Sequence, residues 1–255
     1  MNNRLFFANG NAKIDKTKIF SLPAGWSCPF AKDCLAKVPR FGGPIITGPD
    51  AQFRCYAASG ESLFQNTRDS RWNNFDLVKG KSINQIVALL DNEIARFSKK
   101  YAIIRIHGSG DFFSQDYFDA WVEVVRRYPN KLFYAYTKAL PFWVNRLGSI
   151  PHNLKLTASR GGKFDYLIEK HGLVSVKVVF SEKEAKDLGL KIDHDDSLAR
   201  KANKNYAVLL HGVQPSGTQA AKAWELIRRK GRGGYKTDYF AHYDKKKVSA
   251  QLVEA

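Results

Sequence analysis

The three cysteines of this chain, Cys28, Cys34 and Cys55, lie close together near the amino terminus of a 255-residue sequence. Three thiolates can bind a metal and leave one coordination position open, as a catalytic iron–sulfur cluster or a hydrolytic zinc ion requires. Their spacing matches no zinc finger or zinc ribbon. The alternative is three separate buried cysteines, which behave as small apolar residues. The clustering predicts one metal site shared by all three.

Small, hydroxylic or ionisable residues follow four predicted strands, at the point where each strand ends. These segments are HGSGD (107–111), YTK (136–138), TASR (157–160) and HGVQ (211–214). Ligands of parallel α/β proteins bind at the carboxyl ends of the strands, which meet at one edge of the sheet. The four segments therefore predict a ligand site at that edge.

Within these segments, Asp111 is the strongest candidate for chemistry. It follows two glycines that let the backbone approach a ligand closely, and its carboxylate can accept an amine or act as a base or nucleophile. The alternative is a tight turn with the aspartate near a helix N-terminus. We predict three catalytic residues, namely Asp111, His107 and Lys138. We predict five cofactor-binding residues, namely Ser109, Gly110, Asp111, Thr137 and Ser159.

The charge of the chain indicates a polyanionic partner. Lysine and arginine total 41 against 24 acidic residues, a net charge of +17, whereas solubility alone needs only about 2 to 8 units. We predict nucleic acid, with DNA favoured over RNA; an acidic protein or a membrane surface is the alternative. Loop residues around 68–75 and the basic, aromatic tail supply base-stacking and phosphate-binding groups. The predicted nucleic-acid-binding residues are Arg68, Arg71, Trp72, Arg228, Arg229, Lys230, Arg232 and Tyr235.

Hydrophobic periodicity predicts the elements that position these residues. Strands are expected at 18–22, 101–107, 131–136, 154–158, 173–180 and 206–211. Helices are expected at 82–98, 114–127, 141–147, 164–171, 182–188 and 218–230. Strands that alternate with helices pair in parallel through right-handed crossovers. Between the first strand and residue 80 no period is sustained, which predicts a long loop that carries the cysteines.

About six strand–helix units are too few for a closed eight-stranded barrel. Two architectures are consistent with six units, an open, partial TIM-like α/β barrel and a doubly wound sheet. We predict the open barrel. It forms a single domain over residues 1–230, followed by a basic, aromatic extension at 231–255. No apolar run approaches the roughly 20 residues of a membrane span, and the amino terminus turns polar too early for a secretory signal. We expect a cytoplasmic protein without a disulfide framework.

Several motifs resemble the phage "gene product 88" family over residues 5–230. They are SLPAG (21–25), Cys28-Pro29, RCYA (54–57), SGDFF (109–113), Tyr136-Thr137-Lys138 and NLKLTAS (153–159). This resemblance implies a phage protein acting in an infected bacterial host.

A more distant resemblance is to radical S-adenosylmethionine (SAM) enzymes, which have a six-unit open barrel. Their cluster cysteines follow the first strand, and a glycine-rich acidic motif ends the second strand and contacts SAM. The resemblance implies a [4Fe–4S] cluster on Cys28, Cys34 and Cys55, with SAM held by Ser109 and Asp111. The spacing here is longer than the Cys-x3-Cys-x2-Cys motif of that family. The function implied is a nucleic-acid-modifying enzyme.

Two other interpretations remain open. The chain is also similar to guanine transglycosylases, α/β barrels that insert a deazaguanine base; there Asp111 is the nucleophile or base and the cysteines hold structural zinc. The third interpretation is a nucleic-acid-binding protein that keeps the barrel without catalysis. Four polar strand ends exceed what such a binding module needs.

Overall fold

A computed structural model describes residues 3–230 of the chain. The extension predicted at 231–255, with Arg232 and Tyr235, lies outside the described residues. The strands are β1 (Phe7–Asn9), β2 (Thr17–Phe20), β3 (Ala36–Lys37), β4 (Ile46–Thr47), β5 (Ile103–Ile106), β6 (Leu132–Thr137), β7 (Leu154–Ser159), β8 (Ser175–Val179), β9 (Lys191–Ile192) and β10 (Tyr206–Leu209). The helices are α1 (Tyr56–Leu63), α2 (Gln65–Val78), α3 (Ile83–Ile94), α4 (Gln115–Arg127), α5 (Leu140–Val144), α6 (Tyr166–His171), α7 (Glu182–Asp187), α8 (Ser197–Lys201) and α9 (Gln219–Arg229).

Eight strands form one sheet in the order β1-β2-β5-β6-β7-β8-β10-β9. β1 pairs antiparallel with β2, and every other neighbouring pair in this sheet is parallel. The six predicted strands are therefore confirmed as β2, β5, β6, β7, β8 and β10, and they are neighbours in chain order. Within residues 3–230 no pairing joins the two edge strands, β1 and β9, so the sheet is not closed into a barrel.

The principal core lies between the sheet and the helices that follow its strands. β5 and β6 turn Ile104, Ile106 and Phe133 toward α4, whose Phe118 and Trp121 are fully buried. The Ser114 hydroxyl accepts a hydrogen bond from the Tyr117 amide and caps α4, at the start of the helix predicted over 114–127. This packing fixes the carboxyl ends of the central strands at one edge of the sheet. No helix in the described part of the chain is long and apolar enough to cross a membrane.

The prediction of an unstructured loop up to residue 80 is wrong, because residues 56–78 form α1 and α2. α2 escapes detection by hydrophobic period because it buries polar side chains, among them Arg68 and Asn74. The Asn74 amide donates to the Phe6 and Ser21 carbonyls and accepts from the Phe6 amide, at 2.7–3.0 Å. Asn74 thus supplies hydrogen-bond partners for the backbone groups of Phe6 and Ser21, at a position where an apolar side chain would leave them unpaired.

Candidate functional site

The loop that carries Cys28 and Cys34 is docked on the carboxyl end of β7. Ala31 forms an isolated bridge with Gly162, and the Asp33 amide donates to the Gly161 carbonyl at 3.0 Å. The Lys163 amide donates to the Phe30 carbonyl at 2.9 Å. Backbone hydrogen bonds donated from each of the two segments therefore fix the loop to the turn that directly follows the TASR segment.

Cys55 reaches the same edge from a different direction, at the amino end of α1. The Gln214 side chain accepts from the Arg54 amide at 2.7 Å and donates to the Arg54 carbonyl at 3.1 Å, which ties this turn to the loop after β10. The Tyr56 hydroxyl donates to the Gly108 carbonyl at 2.5 Å, which ties it to the end of β5. The Gln214 side chain thus holds the turn that carries Cys55 and is not a free group at the end of β10.

The three thiols lie close enough at this edge to affect one another's ionisation. Burial raises the pKa of Cys28 well above its ordinary value, and the charges of Asp111, Cys55 and Cys34 raise it further. Burial raises the pKa of Cys55 to about 12, with a further contribution from Cys34. Each thiol therefore lies within electrostatic reach of the other two. Residues 3–230 contain no group of three or more His, Cys, Asp or Glu side chains arranged to hold a metal ion, so the shared metal remains a prediction.

Asp111 joins the ends of β5 and β6. One carboxylate oxygen accepts from the Phe112 amide at 2.8 Å and the Thr137 hydroxyl at 2.6 Å, and the other accepts from the Lys138 amide at 2.8 Å. Burial raises the pKa of Asp111 to about 6, while these hydrogen bonds and the charge of Lys138 act to lower it. Asp111 is therefore mostly ionised at neutral pH, and two of the predicted segments meet at its side chain.

The two glycines before Asp111 bring the turn against the chain that precedes Cys28. A Cβ at Gly110, where φ is +84°, would lie 2.5 Å from the Ser27 hydroxyl, and one at Gly108 would lie 2.5 Å from the Ile19 side chain. Any larger residue would push the cysteine-bearing loop away. The glycines therefore permit a close approach between two parts of the site, where the sequence predicted an approach to a ligand.

Lys138 brings a buried positive charge into the site. Its ammonium donates to the Ser159 carbonyl and hydroxyl, both at 2.9 Å, and to the Arg160 carbonyl at 2.5 Å. All three acceptors are uncharged oxygens. The charge of Lys138 acts to lower the pKa of the Cys34 thiol, against the larger effect of burial. Lys138 and Ser159 are thus brought together as predicted, beside a cysteine.

Glu61, on α1, is a site residue that the sequence did not reveal. Its side chain is fully buried, and one oxygen accepts from the Ala24 amide at 2.8 Å, the Arg71 guanidinium at 2.7 Å and the Ser109 hydroxyl at 3.3 Å. The other oxygen has no hydrogen-bond partner among the described residues. The available signal was a single carboxylate within the short, small-residue run AASGE (57–61).

Of the residues predicted to bind nucleic acid, those that the structure describes lie in two separate regions, on α2 and at the end of α9. Arg68 and Arg71 lie on α2 rather than in a loop, and both guanidinium groups donate to α1, at the Glu61 carbonyl and the Ala57 carbonyl respectively. Trp72 packs against Trp26, with the ring centroids 5.8 Å apart. The basic residues Arg228 and Arg229 end α9, and Lys230 follows them. The predicted loop is wrong, and the binding role of these residues remains a prediction.

The second face of the sheet is polar near the same edge. Asp196, just before α8, accepts from the Arg105 guanidinium at 2.9 Å and from the hydroxyls of Tyr134 and Tyr136 at 2.8 and 2.9 Å. The nearby ring of Tyr56 lies 4.4 Å from that of His211. Charged and aromatic side chains therefore lie on this face of the sheet, and Tyr56 connects them to the neighbouring Cys55.

His107 lies behind the site and is suited to a neutral role. Its side chain is buried, and its Nε2 lies 3.0 Å from the Tyr117 hydroxyl. Burial, and then the charge of Arg105, lower the pKa of His107 to about 3. A base with so low a pKa holds no proton at neutral pH, so it does not serve as an acid there.

We expect this histidine to make the protein sensitive to acid. Between pH 6.5 and about 3 the unfolded state binds a proton that folded His107 does not, so stability falls as pH decreases through this window. The full loss amounts to about 5 kcal/mol. His107→Gln should remove this slope, as measured by urea denaturation at several pH values from 4 to 7.5. Identical pH profiles for the two proteins would contradict the assignment.

Comparison with known proteins gives one family and two relatives. A family model described as "Gene product 88" matches residues 2–230. The "Gene 88 protein" of Mycobacterium phage L5 is 31% identical over 137 residues, which cover 51% of this chain and 51% of that protein. The "Gene 88 protein" of Mycobacterium phage D29 is 32% identical over 137 residues, covering 51% and 50%. The chain thus spans about half the length of the curated relatives it matches. No solved structure matches the chain.

Proposed function

The chain belongs to the gene product 88 family, and we propose that it is a phage-type nucleic-acid-modifying enzyme whose reaction takes place at the carboxyl edge of the sheet. The observation that carries the proposal is the convergence of Cys28, Cys34 and Cys55 with Asp111 and Lys138. These residues come from four separate parts of the chain. Burying Asp111 and Lys138 beside three partly buried thiols opposes folding, so the convergence of these groups favours a functional role.

The three cysteine thiols are the donor type that iron–sulfur clusters use. Thiolates are the ligands of such clusters, and three of them leave one iron open. Cys28, Cys34 and Cys55 would hold it. Metal binding would offset the free-energy cost of burying the thiols, because a coordinating thiol is deprotonated and its charge is paired with the metal. When bound, the cluster supplies an electron and an open coordination position for a second ligand such as SAM.

The neighbouring residues have separate tasks in this proposal. The Lys138 ammonium, whose hydrogen-bond acceptors are uncharged, stabilises the negative charge of the Cys34 thiolate. Asp111 is ionised at neutral pH and binds a cationic amine or accepts a proton. Ser109, Thr137 and Ser159 orient the polar groups of the bound cofactor, and the Gly110 turn keeps the loop of Cys28 in place.

The sheet topology is compatible with an open, partial TIM-like barrel. Its six central parallel strands follow one another in chain order, as in a barrel, whereas doubly wound sheets reverse that order at a switch point. The polar face with Arg105, Tyr136 and Asp196 would form the inner wall, leading from the cysteine edge to the substrate. Nucleic acid is the proposed substrate because of the net charge of +17.

The test is the metal content of protein purified without oxygen. We expect about four iron atoms per chain, acid-labile sulfide and visible sulfide-to-iron absorption, because the donor set is composed of thiolates. Incubation with DNA, SAM and a reductant should then give an altered nucleoside detectable by mass spectrometry. Zinc without iron would instead favour base exchange by Asp111. Protein that binds neither metal but binds DNA would be a non-catalytic binding protein.

A further inference from the structure

Two tryptophans and two cations form a mixed patch beside the site. The rings of Trp26 and Trp72 lie 5.8 Å apart. The Lys37 ammonium lies 4.8 Å from the centre of the Trp26 ring, and the Arg40 guanidinium lies 5.0 Å from the centre of the Trp72 ring. The Trp26 indole donates to the Val38 carbonyl at 2.8 Å and is held in place. Positive charge is therefore fixed next to aromatic rings.

Two phenylalanine rings extend this patch into solvent. Phe41 is 93% exposed and Phe64 is 62% exposed, and Trp26 is 42% exposed. Arg68 connects them, since its amide donates to the Phe64 carbonyl and its guanidinium donates to the Arg40 carbonyl, both at 3.1 Å. Exposed aromatic rings next to cations are what proteins that bind single-stranded nucleic acid present to bases and phosphates. We call Trp26, Lys37, Arg40, Phe41 and Phe64 the stacking surface.

The stacking surface borders the cysteine site. Trp26 precedes Cys28 by two residues in the loop that carries it. On the other side, Arg68 donates to the Glu61 carbonyl at 2.9 Å, and the Glu61 carboxylate accepts from Ser109 at 3.3 Å. A strand bound along this surface would therefore lie next to the loop that carries Cys28.

We propose that the stacking surface binds single-stranded nucleic acid and delivers it to the cysteine site, an inference that rests on the proposed function. Exposed rings stack on unpaired bases without regard to sequence, and adjacent cations bind the phosphates. Arg40 already pairs with an anion, the exposed carboxylate of Asp76, which a phosphate can replace. A chain of net charge +17 attracts a polyanion to such a surface.

The ring contribution is tested with a fluorescein-labelled oligothymidine and fluorescence anisotropy at low salt. Phe41→Ala is expected to raise Kd about 5- to 150-fold, the range that corresponds to loss of one stacked base. Because Phe41 is almost fully exposed, the fold of the variant should be unaffected. The matched control is Tyr166→Ala, which removes another ring that is 62% exposed, on α6, and should leave Kd unchanged.

The charge contribution is tested by the salt dependence of the same binding. The double variant Lys37→Gln with Arg40→Gln should lower the slope of log Kd against log salt by about 0.7 for each phosphate that is no longer neutralised. Lys99→Gln, an exposed lysine before β5, is the control and should not change the slope.

The outcomes separate this inference from the function on which it rests. Binding by the wild-type chain that Phe41→Ala does not weaken would overturn the stacking surface and leave the proposed function standing. No binding of oligothymidine or duplex DNA by the wild-type chain would overturn both. A dimer in sedimentation that Phe41→Ala converts to a monomer would overturn the inference by showing that a second copy occupies the surface. Tighter binding of duplex than of oligothymidine would contradict the single-stranded specificity.

Discussion

Replacing any one of the three cysteines by serine is expected to abolish iron binding by protein purified without oxygen. A serine hydroxyl is a hard oxygen donor with a high pKa, whereas iron–sulfur clusters select soft thiolates. The chain has no fourth cysteine to substitute. We expect iron content and visible absorption to fall to background for Cys28→Ser, Cys34→Ser and Cys55→Ser alike, with loss of any SAM-dependent product.

The control for this series is Lys32→Ser, an exposed residue in the same loop between Cys28 and Cys34. It should retain iron, since its side chain contributes no ligand. Thermal melting of the metal-free proteins should differ little between wild type and the serine variants, because serine is close to cysteine in size. A serine variant that keeps full iron content would contradict a ligand role for that cysteine.

Glu61→Ala is expected to be the most destabilising substitution in the site, by about 3–5 kcal/mol. Its partner Arg71 has a side chain only 14% exposed, so the substitution leaves a largely buried guanidinium without its carboxylate. The Ala24 amide and the Ser109 hydroxyl lose the same acceptor. Urea denaturation would measure the change as a lower midpoint at unchanged slope.

A matched control for burial is Glu225→Ala, which breaks the exposed pair of Glu225 with Arg229 on α9. Exposed pairs contribute about 0–1 kcal/mol, so this variant should unfold almost as the wild type does. If Glu61→Ala costs no more than Glu225→Ala, the Glu61 contacts do not hold the site together. Because Glu61 links the Cys28 loop, α1 and the Ser109 turn, we also expect weaker iron binding in Glu61→Ala.

Local sequence patterns are sufficient to predict the parallel part of the fold. β-Branched and aromatic runs such as residues 173–180, most of them followed by a predicted helix, identify six strands, and all six are present. Ser114 marks the start of α4 because its hydroxyl can accept from the Tyr117 amide, a local interaction that sequence reveals. The parallel pairing then places Asp111, Thr137 and Lys138 at one edge, where the structure joins them by hydrogen bonds.

The region before residue 80 depends instead on contacts between distant parts of the chain. α2 shows no clear hydrophobic period, because its buried side chains include Arg68 and Asn74 as well as Phe75 and Val78. The partners of the two polar side chains are distant backbone groups. Hydrogen bonds to α1 also turn the guanidinium groups of Arg68 and Arg71 inward, which their sequence positions did not indicate. The sequence did not reveal Glu61 for the same reason, since its partners Ala24 and Ser109 lie 37 and 48 residues away along the chain. Hydrophobic periodicity predicts which face of a segment packs on an apolar core. A buried polar side chain instead depends on a hydrogen-bond partner that only the folded chain supplies.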